Sequence, residues 1–170
     1  RLDSVLARVD SLLAERRPVD DAATLDAAVA FIWQRRGEVG SFHPIRHYDV
    51  IRLEDLIGID GELKRLTRNT EQFLQGAPAN HVLLWGDRGT GKSSAIKALL
   101  PRYAERGLRL VQVYRQDLRD LPEITDRLWD RPEKYILFCD DLSFEADDAE
   151  YKELKAMLEG GLHARPLNML

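Results

Sequence analysis

The chain has 170 residues, 44% hydrophobic and 32% charged, with 25 Lys+Arg against 29 Asp+Glu and a formal net charge of -4. That composition belongs to a folded globular chain and excludes a disordered or collagen-like one, and the mildly acidic balance argues against non-specific nucleic-acid binding while leaving a nucleic-acid partner open through a local basic patch. Every uninterrupted apolar stretch falls far short of the roughly 20 residues that span a membrane, and the single cysteine, Cys139, excludes an intrachain disulfide. The chain begins at Arg1 rather than Met and stops at the apolar run Leu167-Asn168-Met169-Leu170, which reads as a piece of a longer polypeptide.

In chain order, Leu2, Val5, Leu6, Val9, Leu12 and Leu13 recur at three- and four-residue spacing and predict a helix over 2–16. Beyond Pro18, Asp20 or Asp21 can cap a second helix over 21–36 with the stripe Leu25, Ala28, Val29, Ile32 and Trp33, ending in Arg35-Arg36-Gly37. Residues 37–50 read as a connector. The predicted organisation is therefore a helical extension and connector over 1–50, then an α/β nucleotide-binding unit over 51–170. Arg16-Arg17 and Arg35-Arg36 read as solvated helix ends, and Trp33, Trp85 and Trp129 as core. His43 and His47 straddle Pro44 without a Cys or carboxylate beside them, a poor metal-ligand pair.

The pattern changes after Arg52. A helix capped by Asp60 is expected to run to Gly76, with Leu63, Leu66, Phe73 and Leu74 on its apolar face. Three short apolar runs, His81–Trp85, Leu108–Tyr114 and Tyr135–Cys139, read as parallel strands buried on both faces. Helices are expected between and after them, at about 92–106, 122–130 and 147–159. Pro101 should kink or restart the first of these. Alternating strands and helices predict an α/β fold with a parallel sheet.

Two motifs carry chemistry. Gly86-Asp87-Arg88-Gly89-Thr90-Gly91-Lys92-Ser93 matches G-x-x-x-x-G-K-[ST] in full. A polyphosphate needs several backbone N–H donors converging on it, which a tight loop supplies when glycines leave the approach free of Cβ atoms. Lys92 is expected on the β- and γ-phosphates and Ser93 on Mg²⁺, with Ser94 completing the nucleotide-contacting run. A chance match in 170 residues has a probability on the order of 1% at ordinary residue frequencies, and a predicted strand before and helix after the motif lower it further.

The second motif is Tyr135-Ile136-Leu137-Phe138-Cys139-Asp140-Asp141, an apolar strand ending in two carboxylates, the Walker B pattern. Ligands of parallel sheets sit at the carboxyl ends of strands, so both carboxylates should emerge near the phosphates. Asp140 is expected to hold Mg²⁺ through water. Asp141 is expected to orient or deprotonate an attacking water, with Glu145 as the alternative base. Cys139 reads as a buried strand residue without a redox role.

On these residues the segment Leu53–Leu170 resembles the first half of an AAA+ ATPase module. The particular stretches are Asp55-Leu56-Ile57-Gly58-Ile59-Asp60, Pro78–Gly86, the phosphate loop, Phe138–Glu145 and Leu154–Leu162. Together they are similar to a bacterial family of AAA+-type ATP-binding proteins known mainly as a domain of unknown function. The resemblance implies ATP and Mg²⁺ as cofactors, a cytoplasmic protein, a homo-oligomer and an unidentified protein client. It also implies adenine near Ile57 and Gly58, and a sensor 1 strand, arginine finger and lid beyond Leu170. In the AAA+ sheet order the sensor 1 strand lies between the strands at 81–85 and 135–139, so those two should be about 10 Å apart, two strand spacings of ~4.8 Å. Asn168-Met169-Leu170 should begin to fill the gap. The function expected is a Mg²⁺-dependent ATPase switch or remodelling factor. Two alternatives stay open: a nucleotide-binding regulatory module that hydrolyses little, and a P-loop kinase-like phosphotransferase, whose Walker B strand would lie directly beside the phosphate-loop strand.

Overall fold

The computed structural model describes residues 21–142 and 166–170. The helices expected over 2–16 and 147–159, and Glu145, lie outside the described residues.

Helix α1 (Asp21–Asp26) is followed by the antiparallel hairpin β1 (Ala30–Arg36) and β2 (Val39–Pro44). Helix α2 (Asp60–Leu74) leads to the phosphate loop, from which α3 (Lys92–Lys97) and α4 (Leu99–Tyr103) emerge. Strand β3 (Leu108–Gln112), helix α5 (Leu121–Leu128) and strand β4 (Lys134–Phe138) complete the described elements. The sheet has the order β2-β1-β3-β4, with β1, β3 and β4 parallel and β2 antiparallel at one edge. This is an α/β fold with a four-stranded mixed sheet flanked by helices.

The hairpin corrects the helix expected over 21–36. Leu25, Ala28, Val29, Ile32 and Trp33 fit a helical stripe, but only Asp21–Asp26 is helical. From Ala30 the chain enters the sheet between β2 and β3, and both faces of β1 are covered. Ala30 joins the core under α2, α3 and α4, whereas Phe31 and Trp33 join the core under α5. A strand buried on both faces loses strict alternation, and its apolar spacing can then mimic a helix. Gly37, at φ 61°, is the first of two loop residues between the paired Arg36 and Val39, so it turns a hairpin rather than ending a helix. The connector expected over 37–50 contains β2, and one sheet runs across the boundary expected at residue 50.

Other local expectations hold with small shifts. Helix α2 starts one residue early: Asp60 is its first helical residue and Ile59 its N-cap. At its end the Gly76 N–H donates to Phe73 O and the Ala77 N–H to Gln72 O, with Gly76 at φ 74°, a Schellman stop. The helix after the phosphate loop breaks at Ala98 and restarts at Leu99, which puts Pro101 in the first turn of α4, where its missing N–H costs nothing.

Two apolar cores sandwich the sheet. On one face Leu63, Leu66 and Phe73 of α2, Ala95 of α3 and Leu99, Leu100 and Tyr103 of α4 meet Leu108, Leu110 and Ile136. On the other, Ile124 and Leu128 of α5 meet Phe31, Trp33, Phe42, Val111 and Tyr135. Trp33 is fully buried and stands edge-on to Phe42, with ring centroids 4.9 Å apart.

Charged groups fasten the hairpin to α5. The Arg35 guanidinium donates to Asp120 at 2.7 Å and also to Glu123, and Trp33 Nε1 donates to Asp120 at 2.9 Å. Arg127 of α5 pairs with Asp21 and Glu123 and donates to the Gly40 carbonyl, its guanidinium 5.2 Å from the Trp33 ring. Arg35 is thus a half-buried structural cation rather than a solvated helix end. Burial pushes the Asp120 carboxyl up, but the bonds from Arg35 and Trp33 outweigh it and hold it below its ordinary value. Asp117 is raised, by burial first and then by the neighbouring Asp120 charge.

Asn168–Leu170 lie along the outer edge of β4. The Tyr135 N–H donates to Asn168 O, the Leu137 N–H to Leu170 O and the Leu170 N–H to Tyr135 O, as in a parallel ladder. β3 occupies the other edge of β4. The run His81–Trp85, expected as a strand, is not one and lies outside the described sheet; Leu83 is 77% and Trp85 87% exposed. Trp85 and the 41%-exposed Trp129 are therefore not core residues, unlike Trp33. No helix among the described residues is long and apolar enough to cross a membrane.

Candidate functional site

The phosphate loop adopts backbone conformations that its glycines make accessible. Gly86, Gly89 and Gly91 sit at φ 137°, 82° and 85°, where a Cβ strains the chain. Asp87, Arg88, Gly89 and Thr90 form an exposed bend between Gly86 and the start of α3. The Lys92 ammonium lies inside this bend and donates to Gly86 O at 2.9 Å, Asp87 O at 2.6 Å and Thr90 Oγ1 at 3.3 Å. Thr90 Oγ1 in turn donates to Asp87 O at 2.9 Å. The lysine is thus held by loop oxygens at the centre of a glycine-lined cradle.

Ser93 and Asp140 are 47 residues apart in sequence, and the fold joins them: Ser93 Oγ donates to Asp140 Oδ1 at 2.7 Å. The sheet makes this contact. β4 ends at Phe138, so Asp140 projects beyond the carboxyl end of the strand, where α3 begins. Asp140 Oδ1 also accepts the Asp141 N–H at 3.0 Å. Asp141 is the one non-glycine residue with positive φ among the described residues, at 57°, a conformation that tends to mark functional sites. Cys139, beside them, is half-buried, and burial together with the Asp140 charge pushes its thiol up to about 11, so it stays protonated and unreactive at neutral pH.

The turn before α2 reaches the same place. Ile57 is 94% exposed and Gly58 sits at φ 84°, while a Cβ on Gly91 would lie 3.6 Å from Ile59 Cδ1. The Ile57–Ile59 turn therefore abuts the end of the phosphate loop. Ser94 is the third residue of α3, and its carbonyl accepts the Ala98 N–H. The fold thus gathers Lys92, Ser93, Asp140 and Asp141 at one sheet end with the Ile57–Gly58 turn nearby.

Inspection of sequence motifs missed Asn69. Its side chain donates from Nδ2 to Asn80 O at 2.8 Å and accepts the Asn80 N–H on Oδ1 at 2.9 Å. No motif flags an asparagine on the polar side of a helix, and only the folded chain shows what it grips.

A family model described as "Protein of unknown function (DUF815)" matches residues 26–170. The chain belongs to this family. Its match begins ahead of the hairpin, so β1 and β2 are part of the family's unit and not an appendage to it. No curated protein matches the chain, and no solved structure does.

Proposed function

We propose that this chain is an ATP-binding, Mg²⁺-dependent AAA+-type protein that works as a molecular switch or remodelling factor. The observation that carries the reading is the 2.7 Å contact between Ser93 Oγ and Asp140 Oδ1. A hydroxyl and a carboxylate from two distant motifs are an oxygen donor set suited to Mg²⁺, which takes one or two protein oxygens and keeps several waters. The donors present also fit a triphosphate: a positive-φ glycine cradle of backbone groups with one lysine at its centre. In this reading Lys92 contacts the β- and γ-phosphates, Ser93 and Asp140 hold the ion, and Ile57 and Gly58 border the base. Asp141 is the carboxylate placed to take a proton from the attacking water.

The order of the sheet supports the AAA+-type reading over the kinase-like alternative. Both edges of β4 are taken, by β3 and by Asn168–Leu170, so the run 81–85 is not its direct neighbour. The deciding experiment is calorimetry of MgATP, MgADP and MgGTP with the full chain and with Lys92→Ala. Saturable MgATP binding that Lys92→Ala weakens about tenfold or more supports the proposal; binding unchanged by Lys92→Ala, or no binding by either protein, overturns it. Turnover assays on the parent chain and Asp141→Asn then separate an ATPase from a nucleotide-binding regulator.

A further inference from the structure

The phosphate loop closes on itself through one uncharged side chain. Thr90 Oγ1 donates to Asp87 O, three residues back, at 2.9 Å, and a Cβ on Gly86 would lie 3.6 Å from the same oxygen. The hydroxyl therefore reaches across the bend from its late residues to its first ones. Asp87 O accepts a second bond there, from the Lys92 ammonium at 2.6 Å. The ammonium also donates to Gly86 O at 2.9 Å and to Thr90 Oγ1 at 3.3 Å.

Two groups thus hold the bend in the ligand-free chain, and a phosphate acts on them differently. Lys92 carries charge, and an ammonium bonds phosphate more strongly than it bonds a neutral carbonyl. In the nucleotide reading it turns to the ligand, and Gly86 O and Asp87 O lose it. The Thr90–Asp87 bond joins two groups of the loop and needs no ligand. It is the contact left to keep the bend closed.

The loop needs such a contact. Gly86, Gly89 and Gly91 give it the positive φ angles of the cradle and, with them, wide freedom to leave that shape. Freezing that freedom counts against binding. A side-chain bond that closes the bend in advance removes part of the cost without touching the ligand. Threonine suits the position because one oxygen both donates and accepts, while its β-branch restricts χ1. Valine has the same shape and neither polar function.

The hydroxyl also has an opposing effect, since it offers Lys92 a partner that the ligand must displace. The distances decide between the two. Lys92 keeps two shorter bonds to carbonyls when its 3.3 Å contact is lost, whereas the 2.9 Å bond uses the one proton the hydroxyl has to donate. Closing the bend is the larger effect.

We infer that Thr90 is a positioning residue of the phosphate loop: its hydroxyl is a clasp that keeps residues 86–91 bent and holds them so when Lys92 changes partners. The use of the clasp rests on the nucleotide reading; the clasp itself does not.

The test compares the full parent chain with Thr90→Val and Thr90→Ser. Without ligand, trypsin cleavage of the Arg88–Gly89 bond, in exposed chain, is followed by mass spectrometry against cuts elsewhere in the protein. The protease needs the bend opened, so the rate tracks the open population. With ligand, calorimetry measures MgATP and inorganic tripolyphosphate with Mg²⁺. One exposed neutral hydrogen bond, at about 0.5–1 kcal/mol, converts to about two- to fivefold. Thr90→Val should speed the Arg88–Gly89 cut by that factor and weaken both ligands by a similar, equal one, with other cuts and the ligand-free melting temperature little changed. Thr90→Ser should match the parent in both readouts. An unchanged cut in Thr90→Val overturns the inference, as does a faster cut with unaltered affinity. Thr90→Ser behaving like Thr90→Val also overturns it, because the methyl and not the hydroxyl would then matter. If the parent binds neither ligand while Thr90→Val still opens the bend, the nucleotide reading falls and the clasp stands.

Discussion

The hairpin β1–β2 and the phosphate loop are both built with cations close to oxygen acceptors, but in opposite surroundings. At the hairpin, Arg35 of β1 and Arg127 of α5 reach carboxylates over a buried Trp33, and Asp120 is 6% exposed. At the loop, Lys92 reaches backbone carbonyls and a hydroxyl in exposed chain. Removing a partner on the hairpin leaves a desolvated charge behind, which is costly. Removing Lys92 leaves carbonyls that water can satisfy. The difference separates groups that hold the fold from groups free to exchange partners with a ligand.

The largest effect should come from Trp33→Ala. It deletes a fully buried indole, its Asp120 bond and its contacts with Phe42 and Arg127. Urea unfolding should show a loss of about 3–5 kcal/mol. A loss below about 1 kcal/mol would mean that the hairpin is not integral to the core.

Lys92→Ala should do the reverse, weakening ATP about 10- to 100-fold, as expected for charge-assisted bonds, while the ligand-free melting temperature stays within about 2 °C. A large drop in melting temperature would place Lys92 among the structural cations and break the contrast.

Ser93→Ala and Asp140→Ala sharpen it further. Each should weaken MgATP binding about tenfold while changing metal-free ATP binding little, because in the proposed site the side chains that meet at 2.7 Å would address the ion. Equal losses with and without Mg²⁺ would displace the proposed metal site.

The smallest effect concerns acid. The folded-state carboxyl of Asp120 lies below its ordinary 3.8, so its stabilising contribution is complete above that value and fades as pH falls through the lowered one. Asp117 has the opposite sign: its raised folded-state carboxyl destabilises the fold at neutral pH, and the penalty disappears as pH falls through the raised value towards 3.8. Asp117→Asn should therefore raise the melting temperature by on the order of 1 °C at pH 7 and by nothing below pH 3.8. A gain that persists in acid would show that packing, not charge, is responsible.

The phosphate loop was readable because its requirement is local: only glycine adopts φ 137°, 82° and 85° without strain, so the motif and its conformation imply each other. Strand β4 was readable for a related reason, since an apolar run ending in Asp140-Asp141 has to leave the sheet at its carboxyl end. Asn168–Leu170 line β4 where the AAA+ resemblance expected a further strand, but the run 81–85 expected on their other side is not part of the described sheet. The hairpin was not readable. Leu25, Ala28, Val29, Ile32 and Trp33 have a helix's spacing, and the aromatic, β-branched Phe31-Ile32-Trp33 core of the segment was outweighed by it.

By itself, then, the order of residues determined the α/β class, the glycine cradle, Lys92, Ser93 and the paired carboxylates, because each follows from conformational limits within a few neighbouring residues. Tertiary structure decided whether 30–36 became helix or strand, since both periods fit and the choice lay with β3 and the two cores that cover β1. It also decided that Asp140 meets Ser93 and that Asn69 grips residue 80. Those pairs lie 47 and 11 residues apart, and nothing in the local chemistry of either partner specifies the other. Only the packing of α2, α3 and β4 against a common sheet brings them within hydrogen-bond distance.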